Sequence, residues 1–170
     1  MSPRLKLTGL LMLAVSTSVG CSTTGLTRKE TISAQDFYSQ PMADRLKSYR
    51  RNSLEVQLTL FFFGNQIRHP PALYLADCFA LSGDAGAELI QKRLQQDTAD
   101  LNVRDMATLI RAMNEIGSSS LASNPKLIDQ LRLRALSIRD SGWREYTLKI
   151  VSDIETTPSG IRLPSDQCGE

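Results

Sequence analysis

The chain has 170 residues, which is the size of one ordinary domain and enough to bury a hydrophobic core. It carries 20 Lys and Arg against 18 Asp and Glu, and a net charge of +2 is too small to indicate a nucleic-acid-binding surface. With 41% hydrophobic and 22% charged residues, the chain does not have the composition of a disordered protein. The chain has one His and three Cys, which are too few side chains for most His/Cys metal sites and give a His-based triad one candidate base. We therefore expect neither a metal nor another cofactor.

The first twenty residues are arranged like a secretory signal peptide. Arg4 and Lys6 form a basic start without an acidic residue, residues 7–19 are uncharged with an apolar centre, and small residues precede Cys21. About 13 uncharged residues are too few to span a bilayer as a mature helix. We therefore expect the segment to be removed on export.

The segment Ser18-Val19-Gly20-Cys21 resembles the lipobox of bacterial lipoprotein precursors, with Ser18 where Leu is usual. The resemblance covers residues 1–21 and implies that a lipoprotein signal peptidase cuts before Cys21. It also implies that the thiol carries a diacylglycerol and the new amino group is acylated, and such multiple acyl chains anchor a protein stably. In this class Ser22, rather than Asp, implies the outer membrane with the domain facing the periplasm. The alternative is an ordinary signal peptide with a chance cysteine.

The remainder divides into three segments by composition. Residues 21–35 contain few large apolar side chains and no clear period, which is typical of a flexible tether. Residues 36–157 carry the periodic apolar pattern of a folded domain. Residues 158–170 contain two Pro and two Gly and form a tail with little core of its own.

Two cysteines remain if Cys21 is lipidated. Export would place Cys78 and Cys168 in an oxidising compartment, so the pair is a disulfide candidate. This disulfide would link the tail covalently to a buried helix. The alternative is two free thiols, with Cys78 as a small core residue.

The apolar residues of the domain recur with helical spacing. Residues 41–63 fit one helix, with Pro41 at its first position and Gly64 just past its end. Within it, however, residues 54–60 alternate apolar and polar side chains, so that a strand is the rival prediction.

Five further helices follow in chain order. Residues 71–81 are apolar nearly all round and predict a buried helix. We expect later helices to begin near Asp84, Asn102, Pro125 and Ser141, with short loops between them. Trp143 and Tyr146 should lie on the inner face of the last helix, with Thr147, Ile150 and Ile154. The sequence therefore predicts an all-α fold of about six helices, as an irregular helical-hairpin array or a compact bundle.

Catalytic motifs are missing from the sequence. It contains no glycine-rich phosphate loop, no His-Glu-x-x-His and no Gly-x-Ser-x-Gly. His69 lies beside two prolines in a polar loop without a neighbouring catalytic partner. Asp77 lies in the most apolar helix, where an ionised carboxylate must be paired, and the spacing of Asp97, Asp100 and Asp105 does not fit a calcium loop. We expect no enzyme and no small-molecule substrate.

Two groups of side chains could form a partner surface. The helix after Pro125 carries Arg132, Arg134 and Arg139, which indicate either a solvated face or a surface for an acidic partner or anionic lipid. Phe61 and Phe62, with Phe63, cover most of a helix circumference, which indicates either a buried helix end or the wall of a groove.

These features favour a membrane-anchored lipoprotein that binds another envelope protein. Its role would be that of an accessory or scaffold subunit of an envelope or secretion machine. One alternative is an immunity lipoprotein that neutralises a periplasmic toxin. The other is an envelope hydrolase, which would require a pocket that joins His69 to Asp77 or another carboxylate.

Overall fold

The structure is a computed structural model, and it describes residues 28–118, 121, 124–163 and 168, with side chains described from Ala34 onward. The predicted signal peptide 1–20, the lipidation site Cys21 and residues 22–27 lie outside this part of the chain.

The described residues form eight helices and no strand. The helices are α1 (Arg28–Ser39), α2 (Met42–Arg51), α3 (Leu54–Ile67), α4 (Tyr74–Ala80), α5 (Gly83–Gln96), α6 (Asp100–Glu115), α7 (Pro125–Leu136) and α8 (Ser141–Thr156). The predicted all-α class is confirmed, and the predicted number of about six helices is wrong.

One additional helix comes from a break at Asn52 and Ser53. Asn52 is extended and its side-chain amide donates to the carbonyl of Ser48 at 2.8 Å, while the Ser53 hydroxyl accepts from the amide of Val56. Asn and Ser compete with helical hydrogen bonds and favour helix ends, so residues 41–63 fold as α2 and α3. Residues 54–60 are helical, which excludes the rival strand.

The other additional helix is α1, which begins at Arg28 within the segment that the sequence assigns to a tether. Ala34, Phe37 and Tyr38 of this helix are buried. It packs against α2 and α3 and so belongs to the same core as the rest of the domain.

Gly64 does not end α3, which continues to Ile67. Instead, Gly64 permits a close approach: a Cβ atom there would collide with the Tyr38 hydroxyl and lie 2.7 Å from the Cβ of Ala72. The Ala72 amide also donates to the Gly64 carbonyl at 3.2 Å. Because Gly64 has no side chain, α1, α3 and the start of α4 can pack closely together at this point.

Helix α6 is the centre of the fold. Twelve of its 16 residues are buried, and it contacts α3, α4, α5, α7 and α8. It begins at Asp100, so Asn102, near which the sequence predicts the helix start, lies inside the helix and is buried. Asp140, rather than Ser141, caps α8 by accepting from the amide of Trp143 at 2.8 Å, whereas the predicted start of α7 at Pro125 is confirmed.

The tail is attached to the domain by covalent and hydrogen bonds. Cys78 and Cys168 form the predicted disulfide, with a Cα–Cα distance of 5.0 Å. The amides of Gly160 and Arg162 each donate at 3.0 Å, to the carbonyls of Asn114 and Glu115. Among the helices described, none is long and apolar enough to cross a membrane.

Candidate protein-binding surface

Two aromatic side chains lie exposed at the start of α8. Trp143 is 40% exposed and Tyr146 is 44% exposed, and their rings meet edge to face with centroids 6.1 Å apart. The sequence places both on the inner face of the helix, but only Thr147, Ile150 and Ile154 of that set are buried. The aromatic pair lies at the edge of that face and remains partly open to solvent.

Trp143 rests on a largely buried arginine from α6. The guanidinium carbon of Arg104 lies 4.5 Å from the centroid of the indole ring. Arg104 is in turn fixed by its neighbour, because its Nε donates to Oδ1 of Asp105 at 2.8 Å and Nη2 lies 2.6 Å from the same oxygen. A cation held over an indole restricts the orientations that the ring can adopt.

Asp105, the ion-pair partner of Arg104, is completely buried. Its carboxylate accepts from the amide of Asn65 at 2.5 Å and from that of Gln66 at 2.8 Å. Burial raises the pKa of Asp105, and the charge of Arg104 with the amide hydrogen bonds opposes that shift. The carboxylate therefore accepts from three described donors on two helices, Asn65, Gln66 and Arg104.

The same hydrogen-bond network joins the ends of several helices. Gln66 also donates to Oδ1 of Asn102 at 2.8 Å, and Asn102 donates to Oδ2 of Asp97 at 2.6 Å. Asp100 accepts from the backbone amide of Arg139 at 3.0 Å. These bonds connect α3, the start of α6 and the α7–α8 turn. The residues on which the aromatic pair packs are therefore held in place by several helices.

We define the Trp143–Tyr146 surface as these two rings together with Arg104. Trp, Tyr and Arg are the residue types that most often dominate the energy of protein interfaces. A surface whose side chains are already fixed loses less conformational entropy on binding. The arrangement is suited to contact with another protein.

The predicted arginine group is only partly available on this structure. Arg132 pairs with Glu155 and Asp129, and Arg134 donates to the backbone carbonyl of Asp97. Arg139 is exposed in the α7–α8 turn, and Leu133 and Leu136 of α7 are exposed as well. Two of the three predicted arginines therefore support the packing of α7 rather than form an open basic face.

The predicted aromatic group is mostly core. Phe61 is completely buried and Phe63 is 8% exposed, because α3 is enclosed by its neighbouring helices. Phe61 as a partner-surface residue is therefore a wrong prediction. Phe62 is partly buried and packs against the core.

The two candidate catalytic residues are not joined. Both carboxylate oxygens of Asp77 accept from Arg162, at 2.7 and 2.6 Å, and His69 lies exposed in the α3–α4 connection. The expectation that Asp77 is paired is confirmed. Among the described side chains, no group of three or more His, Cys, Asp or Glu is arranged to hold a metal ion.

Sequence reasoning missed the Arg104–Asp105 pair, because Asp105 looked like one of several scattered acids. The available signal was weak, because Arg104 and Asp105 lie beside the apolar face of Val103, Met106 and Ile110 and look like residues of a solvated face. Their partners Asn65 and Gln66 are about 40 residues away, and no local pattern connects them.

Comparison with known proteins found no match: no family model, no curated protein and no solved structure is significantly similar to this chain.

Proposed function

We propose that this chain is an outer-membrane lipoprotein, anchored through Cys21, whose periplasm-facing domain binds another envelope protein as an accessory or scaffold subunit. The lipobox-like segment before Cys21 supports the anchor. The observation that carries the binding role is the exposed Trp143–Tyr146 surface on its buried Arg104–Asp105 support.

The energetic case for this surface rests on its construction. Burying two aromatic rings in an interface removes a large apolar area from water, while the indole and phenol polar groups can still find partners. Because Arg104 already orients Trp143, a partner would meet a preformed shape. Exposed Leu133 and Leu136 lie on a different helix and carry no aromatic ring that a cation could orient.

The binding role is tested by crosslinking and pull-down from membranes with a Trp143→Ala/Tyr146→Ala variant. We expect recovery of the partner to fall by about thirtyfold, the loss typical of removing central aromatic residues from an interface. Leu133→Ala/Leu136→Ala, which removes two exposed apolar side chains from α7, is the matched control and should retain the partner. Equal recovery with both variants, or no reproducible partner with the wild type, would contradict the proposal.

The anchor is tested separately by Cys21→Ser. This variant should leave the membrane fraction and lose metabolic acyl labelling, whereas Ser22→Ala should retain both. Unchanged fractionation of Cys21→Ser would exclude lipidation at this cysteine without affecting the test of the Trp143–Tyr146 surface.

A further inference from the structure

We propose that a basic cluster around the C-terminal end of α1 binds the phosphate of an anionic phospholipid headgroup. The site, here called the Arg45–Arg68 cluster, consists of Arg45, Arg68, Tyr38, Tyr49 and Tyr74. This goes beyond the proposed protein-binding role, since it uses the opposite part of the chain and a different ligand.

Two guanidinium groups lie around one tyrosine ring in this cluster. The guanidinium carbons of Arg45 and Arg68 are 5.2 and 5.5 Å from the centroid of the Tyr38 ring. Phe63 stacks on the same ring with centroids 5.8 Å apart. The phenol ring thus holds two cations close together, with an apolar neighbour beside them.

Neither arginine has an ion-pair partner in the described part of the chain. Arg45 donates to the hydroxyl of Tyr74 at 2.7 Å and to the backbone carbonyls of Tyr38 and Gln40 at 3.0 and 2.9 Å. All of these acceptors are neutral. The positive charge of the cluster is therefore uncompensated, unlike that of Arg104 or Arg162, each of which is paired with a carboxylate.

The cluster also contains buried donors that lack a protein acceptor. Nε of Arg45 and the hydroxyl of Tyr49 are buried without a hydrogen-bond partner among the described atoms. Burial raises the pKa of both Tyr38 and Tyr49, so both hydroxyls stay protonated. The Tyr38 hydroxyl donates to the Leu60 carbonyl at 2.8 Å, so the unsatisfied hydroxyl is that of Tyr49. A phosphate supplies several acceptor oxygens and negative charge, which matches two cations and unsatisfied N–H and O–H donors.

The position of the cluster favours a headgroup over a soluble anion, and this step rests on the proposed anchor. Helix α1 begins at Arg28, seven residues after Cys21, and an extended chain of that length spans about 25 Å. Lys47, Arg50 and Arg51 on α2 are exposed and have no ion pair with described residues. Tethering this basic end near an anionic bilayer surface would strengthen its attraction to the membrane.

The test uses residues 22–170, which contain every described residue and carry no lipid, so that its outcome is independent of Cys21. Binding is measured by cosedimentation with phosphatidylcholine vesicles that contain about 30% phosphatidylglycerol, and with pure phosphatidylcholine vesicles, at about 0.1 M salt. We expect binding to the anionic vesicles alone. Arg45→Gln/Arg68→Gln should lower the partition coefficient by about thirtyfold, since each cation near the surface contributes several-fold.

Lys92→Gln/Lys126→Gln is the matched control, because it removes the same charge from exposed positions on α5 and at the start of α7, and it should change binding less than about twofold. If Arg45→Gln unfolds the domain by circular dichroism, the exposed Arg68→Gln alone should still lower binding. Equal loss with the control would overturn the site, as would equal binding to both kinds of vesicle. Binding of inorganic phosphate by the wild type without preference for anionic vesicles would overturn the headgroup as ligand.

Discussion

Arg162 donates hydrogen bonds to both carboxylate oxygens of Asp77, although 85 residues separate the two in the sequence. Its Nε also donates to Glu115 at 2.8 Å. One side chain of the tail thereby joins α4 to the end of α6. Fork-to-fork contacts between guanidinium and carboxylate fix geometry as well as charge.

Arg162→Ala should destabilise the domain by about 1 kcal/mol, because the contact is bidentate but partly exposed to solvent. The measurement is the free energy of unfolding in urea. Lys149→Ala is the matched control, since it breaks an exposed i,i+4 pair with Asp153 and should cost no more than about 0.5 kcal/mol. An equal loss in the free energy of unfolding for the two variants would show that the Arg162 contact stabilises the domain no more than an exposed ion pair does.

The Cys78–Cys168 disulfide should form in an oxidising compartment and should stabilise the domain. For a loop of 90 residues the chain-entropy argument gives about 4–5 kcal/mol. Non-reducing peptide mass spectrometry should find the two cysteines joined, and Cys78→Ala/Cys168→Ala should lower the free energy of unfolding. Ala is chosen because both positions are buried. Alkylation of both thiols in the unreduced native protein would contradict the pairing.

Asp105 should make stability depend on pH in the acidic range. Its folded pKa is raised above the ordinary value of 3.8, so its stabilising contribution is present below that value and is lost as pH rises through the folded pKa. The stability of the wild type relative to Asp105→Asn should therefore fall as pH increases across this window. Urea unfolding at several pH values measures the difference. The exposed Asp84→Asn is the control, and a wild-type advantage that grows with pH would contradict the sign.

Gly64→Ala should destabilise the domain by about 1–3 kcal/mol, because the new methyl group would displace Tyr38 and Ala72. Gly142→Ala provides the matched control in the first turn of α8. There the nearest atom to a Cβ is Oδ1 of Asp140 at 3.4 Å, so the change should be neutral or stabilising by up to about 1 kcal/mol. Thermal unfolding of both variants distinguishes packing from helix propensity, and equal melting temperatures would exclude the packing role of Gly64.

The helices that could be predicted from sequence are those whose apolar residues recur on one face. Leu131, Ala135 and Ile138 show this spacing and are buried, and Ile128 on the same predicted face is partly buried against the core. The pattern works because each helix must bury one stripe against its neighbours. It failed to separate α2 from α3, where a hydrogen-bonded break at Asn52 interrupts a continuous apolar pattern.

The candidate surface could not be predicted in the same way. Trp143 shares the spacing of the buried residues of α8, yet it is partly exposed. Its ring packs on Arg104 near the start of α6, a contact that the spacing along α8 does not reveal. The ion pair that supports it needs Asn65 and Gln66 from α3, and such contacts depend on tertiary packing rather than on local period. Cys78 and Cys168 were an exception, because export chemistry and counting alone suggested their pairing.

The close meeting of Gly117 and Gly160 offers a way to recognise relatives of this domain. Both have positive φ, +80° and +76°, and a Cβ on Gly117 would lie 3.1 Å from the Cα of Gly160. A side chain at either position would be opposed by the backbone conformation, and one at Gly117 would also crowd Gly160. Homologues that keep the tail in place should therefore retain both glycines, together with an acid and a cysteine in the order of Asp77-Cys78 and a basic residue two positions after the second glycine. That spaced signature can be searched for even where overall sequence similarity has been lost.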